Sequence, residues 1–365
     1  VGILTIREKW ERMLKLASFD KWEGYYLDDE RSIKIDKTIG EDICLMVHAN
    51  VLPTKSIISK IKKLQHGEFL SVKNEGGIAY KFSAKEVLGL HKIKITHSVE
   101  HNESLKVLHY PWQIFQLNDW AIRQDFELIT ARRKSKPISK TNTIINVAQI
   151  FIEAGAKVEH CTLNASTGPI YIGKNAEIQE GTMIRGPFAL CEGSLVKMGS
   201  KIYGATTIGP YCLAGGEIKN SILLGYSNKA HDGYLGDSVI GEWCNLGAGT
   251  SNSNLKNNCG DVSYWVHADK KQISAGNKGG LLLGDYSKSA INTSFNTGTV
   301  VGICSNVFAQ GLTPKYIPHF SWGCDDITRY KLSNALEDIN KWKQLKGFSI
   351  TEKEKQILMD IYKKF

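Results

Sequence analysis

The stretch IYIGKNAEIQEGTMIRGPFALCEGSLVKMGSKIYGATTI, residues 170–208, decides the architecture. Ile172, Ile178, Ile184, Leu190, Val196, Ile202 and Ile208 stand six residues apart without a break. Neither a helix of 3.6 residues per turn nor an alternating strand requires that spacing. With about one residue in four aliphatic, seven in register arise by chance with probability on the order of 10⁻⁴. Two positions before most of them stand small side chains (Ala176, Thr182, Ser194, Ser200, Thr206), with Phe188 among the exceptions. A glycine falls between each successive pair, where a corner needs a backbone without a Cβ. Each hexapeptide is one short strand plus a corner, and stacked coils bury a ladder of aliphatic side chains. The expectation is a parallel β-helix over 170–311.

Working outward, the register slips near 211–225, where a few residues are expected to loop out, and returns at Leu235, Ile240 and Leu246. Residues 251–280, rich in Asn, Lys and Gly, are too long for a corner and read as an excursion toward a site or a neighbouring subunit. Weaker repeats resume through Leu283, Val301 and Val307 until Pro314 and Pro318. Upstream, residues 1–130 read as a small α/β domain. It has a strand-like VGILTI start, strands at 43–47, 69–72 and 78–82, and a helix near 56–64. Helical spacing over 112–129 is expected to pack on that domain, with 131–143 as linker, 144–323 as β-helix and 324–365 as a helical C-terminal segment. There Thr351-Glu-Lys-Glu354 has the form of a capping box ahead of Ile357, Leu358 and Ile361, and the terminal helix is expected to cover the end of the β-helix.

The 365 residues carry 46 basic and 37 acidic side chains, a net +9. The basic residues are scattered; their one dense run, Arg132-Arg133-Lys134-Ser135-Lys136, reads as a solvated linker, so nucleic acid is not expected as a partner. Eight cysteines without a C-x-x-C pair read as buried thiols in a reducing compartment. No apolar run approaches a membrane span, and a soluble, cytoplasmic protein without a membrane partner is expected. The chain opens at Val1 rather than methionine, so nothing is read from where it begins.

A β-helix has almost no interior cavity, so chemistry must use its outer faces and corners. The richest polar run is 217–254, with Lys219, His231, Tyr234, Asn245 and Asn254. A neutral amine attacks a thioester carbonyl and a protonated one does not, so an imidazole with a pKa near 6.5 suits the proton transfer. Lysines grip phosphate as point charges, and the Gly247–Gly249 turn offers N–H groups to an oxyanion. Each feature alone has a plainer reading. A lone histidine on a polar loop is more often a surface residue, Lys219 a solvated charge, and Asn245 and Asn254 ladder or turn residues. His48, His160, His267 and His319 show no ligand spacing, and no metal site is expected in this half.

The run KNSILLGYSNKAHDGYLGDSVIGEWCNLGAGTSNSN, 219–254, closely resembles the acetyltransferase half of the bifunctional family that makes UDP-N-acetylglucosamine, in both order and spacing. The resemblance implies a left-handed β-helix with His231 as general base, Lys197 and Lys219 on the sugar phosphate, and Tyr234, Asn245 and Asn254 on the sugar. It implies acetyl-CoA held near Ala248 and Ala309, glucosamine 1-phosphate as acceptor, and a homotrimer with sites between adjacent β-helices. Lys197 stands where that family carries arginine, which keeps the charge and loses the bidentate fork. A serine expected in the later coils falls on Ile291. With the strand-like start, ICLMVHANVLPTKSIISKIKKL (43–64) and YPWQIFQLNDWAIRQDF (110–126) look like the reduced nucleotidyltransferase-like domain of a Bacteroidetes-type branch. No glycine-rich phosphate signature is evident, and Asn50 stands where a Mg²⁺-binding aspartate is sought, so Mg²⁺ is implied only if that domain is active. Two alternatives stay open: a nucleotidyltransferase whose β-helix only assembles the trimer, and a non-catalytic assembly or binding homologue.

Overall fold

The computed structural model describes residues 1–16, 43–73, 75–83, 86 and 95–365. Two compact units divide between His109 and Tyr110: Leu4–His109, and Tyr110–Phe365 together with Val1–Ile3.

In the larger unit short strands stack into sheets of six, nine and ten strands, parallel throughout except at the last strand of the third. Ile178 pairs with Val196 and Val196 with Ala214, so a full coil takes eighteen residues (178, 196, 214). All seven aliphatic residues of the six-residue series point inward, none more than 2% exposed. Each such burial stabilises by roughly 1.5–3 kcal/mol. Hydroxyls share the interior because they reach a carbonyl of the following coil, as Ser194 Oγ does at Gly209 O (2.6 Å), Ser227 Oγ at Gly241 O (2.6 Å) and Ser287 Oγ at Gly302 O (2.7 Å).

The first register slip is a shortage rather than an outward loop. Leu213 pairs with Asn228 and Ala214 with Lys229, so this coil has fifteen residues and the corners give up the missing three. At the second break, Ser251–Asn252 still pairs with Ser294–Phe295, and the excursion then forms an antiparallel hairpin of Ser263–Val266 and Lys271–Ser274. It folds back on its own coils: Tyr264 is fully buried and stacks on Trp112 at 5.1 Å, in a cluster with Ile222, Val239 and Leu282.

The helix Asn118–Thr130 also packs on the coils, in place of the α/β region expected for it. The reason lies in its buried face, which carries Asn118 and Asp125 among Ala121, Ile122, Phe126 and Ile129. Asn118 Nδ2 donates to Ala205 O (2.7 Å), while its Oδ1 accepts from Gly2 N (2.7 Å) and Asp125 Oδ2 accepts from Ile3 N (2.7 Å). The opening residues are therefore no strand. Thr5 instead caps the helix Ile6–Leu14 in a reciprocal box with Glu8.

The C-terminal helices Leu332–Gln344 and Glu352–Lys364 place Ala335, Ile339 and Leu358 on Cys304, Phe320 and Tyr330, and Thr351 and Glu354 form the expected capping box. They run along the flank of the column rather than across its end, since Lys346 Nζ reaches Tyr211 O (2.8 Å) and Asn228 Oδ1 (3.1 Å). The last ladder is closed instead by Thr328–Arg329, antiparallel to Ser321–Trp322, which leaves little free edge. Five cysteines are buried as expected, whereas Cys259, on the excursion, is exposed.

The smaller unit has a four-stranded sheet. Ile43–Val47 pairs antiparallel with Gly76–Ser83, which pairs antiparallel with Glu68–Val72, itself parallel to His97–His101. Trp10, Ile57, Leu70 and Ile78 form its core. Among the described residues no helix is long and apolar enough to cross a membrane.

Candidate functional site

His231 lies at the corner between Asn228–Lys229 of the ten-stranded sheet and Tyr234–Gly236 of the six-stranded one. It is exposed. The hydrogen bonds between coils show what stands above and below it. Lys197 N donates to Ala214 O (2.8 Å), and Ala214 pairs with Lys229, which puts Lys197 two coils below. Gly249 N donates to Asp232 O (3.1 Å), placing Ala248 one coil above. Asn292 N donates to Ala248 O (2.7 Å), and Ala290 N to Val307 O (2.9 Å), so Ile291 and then Ala309 follow on the same edge. Strand spacing of about 4.8 Å sets the steps between them. Ile291, 69% exposed, stands between the two alanines and projects from the edge.

Lys219, Tyr234 and Asn254 come together on the adjacent face. Lys219 sits in the ladder between Tyr203 and Gly236, and Tyr234 stands opposite Glu217. The ammonium of Lys219 lies 6.0 Å from the Tyr203 ring centre, and the Tyr203 hydroxyl donates to Glu217 Oε1 at 2.5 Å. That hydrogen bond, with burial behind it, pushes the Tyr203 phenol up to about 12 and keeps it a donor. Burial beside the Asp237 carboxylate likewise raises the Tyr234 phenol. Asn254 Nδ2 is held by Asp237 Oδ2. Asn245 is not in this group: it belongs to the ten-stranded sheet, between Asn228 and Lys288, around the corner from Tyr234.

Of the three amides in the Gly247–Gly249 turn, two are spent on the fold. Gly247 N donates to Ser289 O (3.1 Å) and Gly249 N to Asp232 O, and Thr250 N closes the turn on Gly247 O (3.1 Å). Gly249, at φ 73°, adopts the left-handed conformation that suits glycine. Ala248 N alone of the three has no partner among the described residues. The oxyanion donors anticipated from the turn thus narrow to one.

Sequence reasoning passed over three residues. Asp237 and Asn252 are buried and organise the face, Asn252 exchanging both its amide atoms with Gly236 (2.8 and 3.0 Å). Lys229, two residues before His231, occupies an inward position of the column. Counting eighteen residues from Ala214 misses that position, whereas fifteen lands on it.

In the smaller unit Asn50 is exposed at the turn after Ile43–Val47. Its Nδ2 donates to Leu108 O (3.3 Å) and its O accepts from Leu108 N (2.9 Å), so it joins the pairing of Val51–Leu52 with Lys106–Val107. Among the described residues no group of His, Cys, Asp or Glu is placed to hold a metal ion.

Comparison with known proteins bears on both units. The family model for sugar nucleotidyl transferases matches residues 1–134. The bifunctional sugar-1-phosphate nucleotidylyltransferase/acetyltransferase of Sulfurisphaera tokodaii is 26% identical over 84% of this chain and 69% of its own. The bifunctional protein GlmU of Methanococcus maripaludis is 28% identical over 72% of this chain and 57% of its own. That of Methanocaldococcus jannaschii is 37% identical over 24% of this chain and 21% of its own. The chain thus spans under two thirds of the length of both GlmU proteins.

Proposed function

We propose that this chain belongs to the family of bifunctional sugar-1-phosphate nucleotidylyltransferase/acetyltransferases and transfers an acetyl group from acetyl-CoA to the amine of glucosamine 1-phosphate at the corner formed by His231. The observation that carries the reading is the shared edge: His231 lies one coil below Ala248 and two above Lys197, beside the face holding Lys219, Tyr234 and Asn254.

On this reading Lys197 and Lys219 hold the phosphate, and Tyr234, Asn245 and Asn254 orient the sugar. The amine nitrogen attacks the thioester carbonyl while His231 takes its proton, and Ala248 N–H donates to the tetrahedral oxyanion. The C–S bond then breaks, the sulfur leaves with a proton returned by the imidazolium, and the amide remains. Coenzyme A lies along the edge past Ala248 toward Ala309, where small side chains leave the backbone approachable, with Ile291 as its lateral wall. Because the residues sit on an outward edge and Asn245 faces away from Tyr234, a second copy of the chain completes the pocket, in a homotrimer.

The test is thiol release from acetyl-CoA with glucosamine 1-phosphate, wild type against a folded, trimeric His231→Ala. A loss of 10²–10⁴-fold in kcat is expected of a missing general base. No release by the wild type would sink the assignment for this substrate. The family match over residues 1–134 favours a second activity in the N-terminal part, nucleotidyl transfer to a sugar 1-phosphate. Pyrophosphate release from UTP, unaffected by His231→Ala, would reveal it.

A further inference from the structure

Lys229 stands where the column elsewhere takes Val158, Ile178, Val196, Ala214, Leu246 or Val307, and once a small hydroxyl, Ser289. It is 2% exposed, and no carboxylate forms an ion pair with it among the described residues. A cation kept in an aliphatic interior is expensive unless its donors are satisfied. They are satisfied by backbone: Nζ donates to Gly215 O (3.1 Å) and to His231 O (2.5 Å), the corner carbonyls of two successive coils. The fifteen-residue coil brings the lysine to this inward site, and Ala214 beneath it leaves room for the stem.

The consequence falls on the corner carrying His231. Its three carbonyls are each engaged: His231 O by Lys229 Nζ, Asp232 O by Gly249 N, and Gly233 O by Glu217 N (3.2 Å). Gly233, at φ 120°, passes so close to the next coil that an added Cβ would lie 2.1 Å from Thr250 O. Two of the three ties come from neighbouring coils and would exist in any repeat of this kind; only the tie to His231 itself comes from a side chain.

We infer that Lys229 is a positioning residue for His231, fixing from inside the column the peptide that aims the imidazole along the outer edge. The inference rests on the proposed acetyl transfer, with His231 as its base. Burial pushes the amine down to about 8, with Asp232 opposing, as befits a donor held in the interior for its hydrogen bonds.

Lys229→Met keeps the unbranched stem and removes the donors. A folded variant is expected to lose at least about tenfold in kcat, with KM for both substrates within about threefold, because the base is displaced while the binding groups remain. Hydrogen exchange in the peptide spanning 228–234 is expected to accelerate. A folded variant with kcat within twofold of wild type, or with unchanged exchange in that peptide, overturns the inference. If the wild type transfers no acetyl group, the catalytic reading fails on its own, and the exchange experiment still decides whether Lys229 holds the corner. Should the methionine variant not fold, Lys229→Gln, shorter but still a donor, is expected to be intermediate in both measurements; wild-type values there overturn the inference equally.

Discussion

Asn254 Nδ2 donates to Asp237 Oδ2 at 2.5 Å, while the other oxygen of the same carboxylate accepts from Asn220 Nδ2 at 2.6 Å. One buried acid thus orders two amides that reach it from different coils. Asp237→Ala leaves both without their acceptor, and a loss of about 1–3 kcal/mol in stability is expected. If Asn254 orients the sugar, KM for the amino-sugar phosphate should rise roughly tenfold with kcat much less affected, since binding rather than proton transfer is disturbed. Steady-state kinetics with an unchanged KM would remove Asn254 from the sugar site.

Lys229 makes the stability of the column depend on pH. Its amine titrates at about 8 in the fold, against about 10.4 in an unfolded chain. Between those values the unfolded chain holds a proton that the folded chain has shed, so this group's contribution to stability rises with pH across the window. Below about 8 both states are protonated and the desolvation penalty is present in full. The stability of wild type relative to Lys229→Met in urea unfolding should therefore rise from pH 7 to pH 10, by about 2.5 kcal/mol. A difference that stays flat over that range would mean the ammonium is not desolvated.

Trp112 and Tyr264 stack at 5.1 Å, 11° from parallel, and this pair holds the hairpin of the excursion on the coils. Trp112→Ala is expected to cost about 3–5 kcal/mol and to open residues 253–280 to limited proteolysis. Tyr264→Phe should leave stability unchanged or slightly higher, because the Tyr264 hydroxyl is buried with no hydrogen-bond partner among the described residues. Protection from protease that survives Trp112→Ala would show that another contact secures the hairpin.

Thr351 caps the last helix, accepting from Glu354 N and donating to Glu354 Oε2, and Lys343 pairs with Glu354 Oε1. Thr351→Ala should lower the unfolding free energy by about 1 kcal/mol. Since Lys346 and Phe348 bridge this segment to Tyr211, Asn228, Tyr226 and Trp243, quenching of Trp243 fluorescence by acrylamide should rise if the cap is what holds the segment down.

The column was legible because one rule, an inward aliphatic every sixth residue, acts on neighbours in the chain: Ile172 through Ile208 are each placed by their own hexapeptide. Lys229 was not legible because it breaks that rule in composition and in count together, an inward cation in a coil shortened to fifteen. The docking of Asn118–Thr130 was missed for a different reason. Its partners, Gly2, Ala205 and Thr207, lie far away in sequence, and helical periodicity says which face is buried but not against what. At the site, the run from Lys219 to Asn254 stood out by residue type alone. That Tyr234 and Asn245 fall on opposite sides of a corner, and that only Ala248 of its turn keeps a free amide, depend on where each coil bends.

Leu246 and Ser289 are ladder partners although 43 positions (246 to 289) separate them, and Ala214 and Lys229 are partners across 15 (214 to 229). The solenoid is in this sense a ruler whose graduations are coils: each adds about 4.8 Å whatever length of chain is spent on it. From His231 to Ala309 is three graduations, roughly 14 Å, and neither the hairpin nor the short coil alters that interval. A stretched ligand laid against the edge is gauged by fixed marks, while the loops beside it are free to lengthen and change what it meets there.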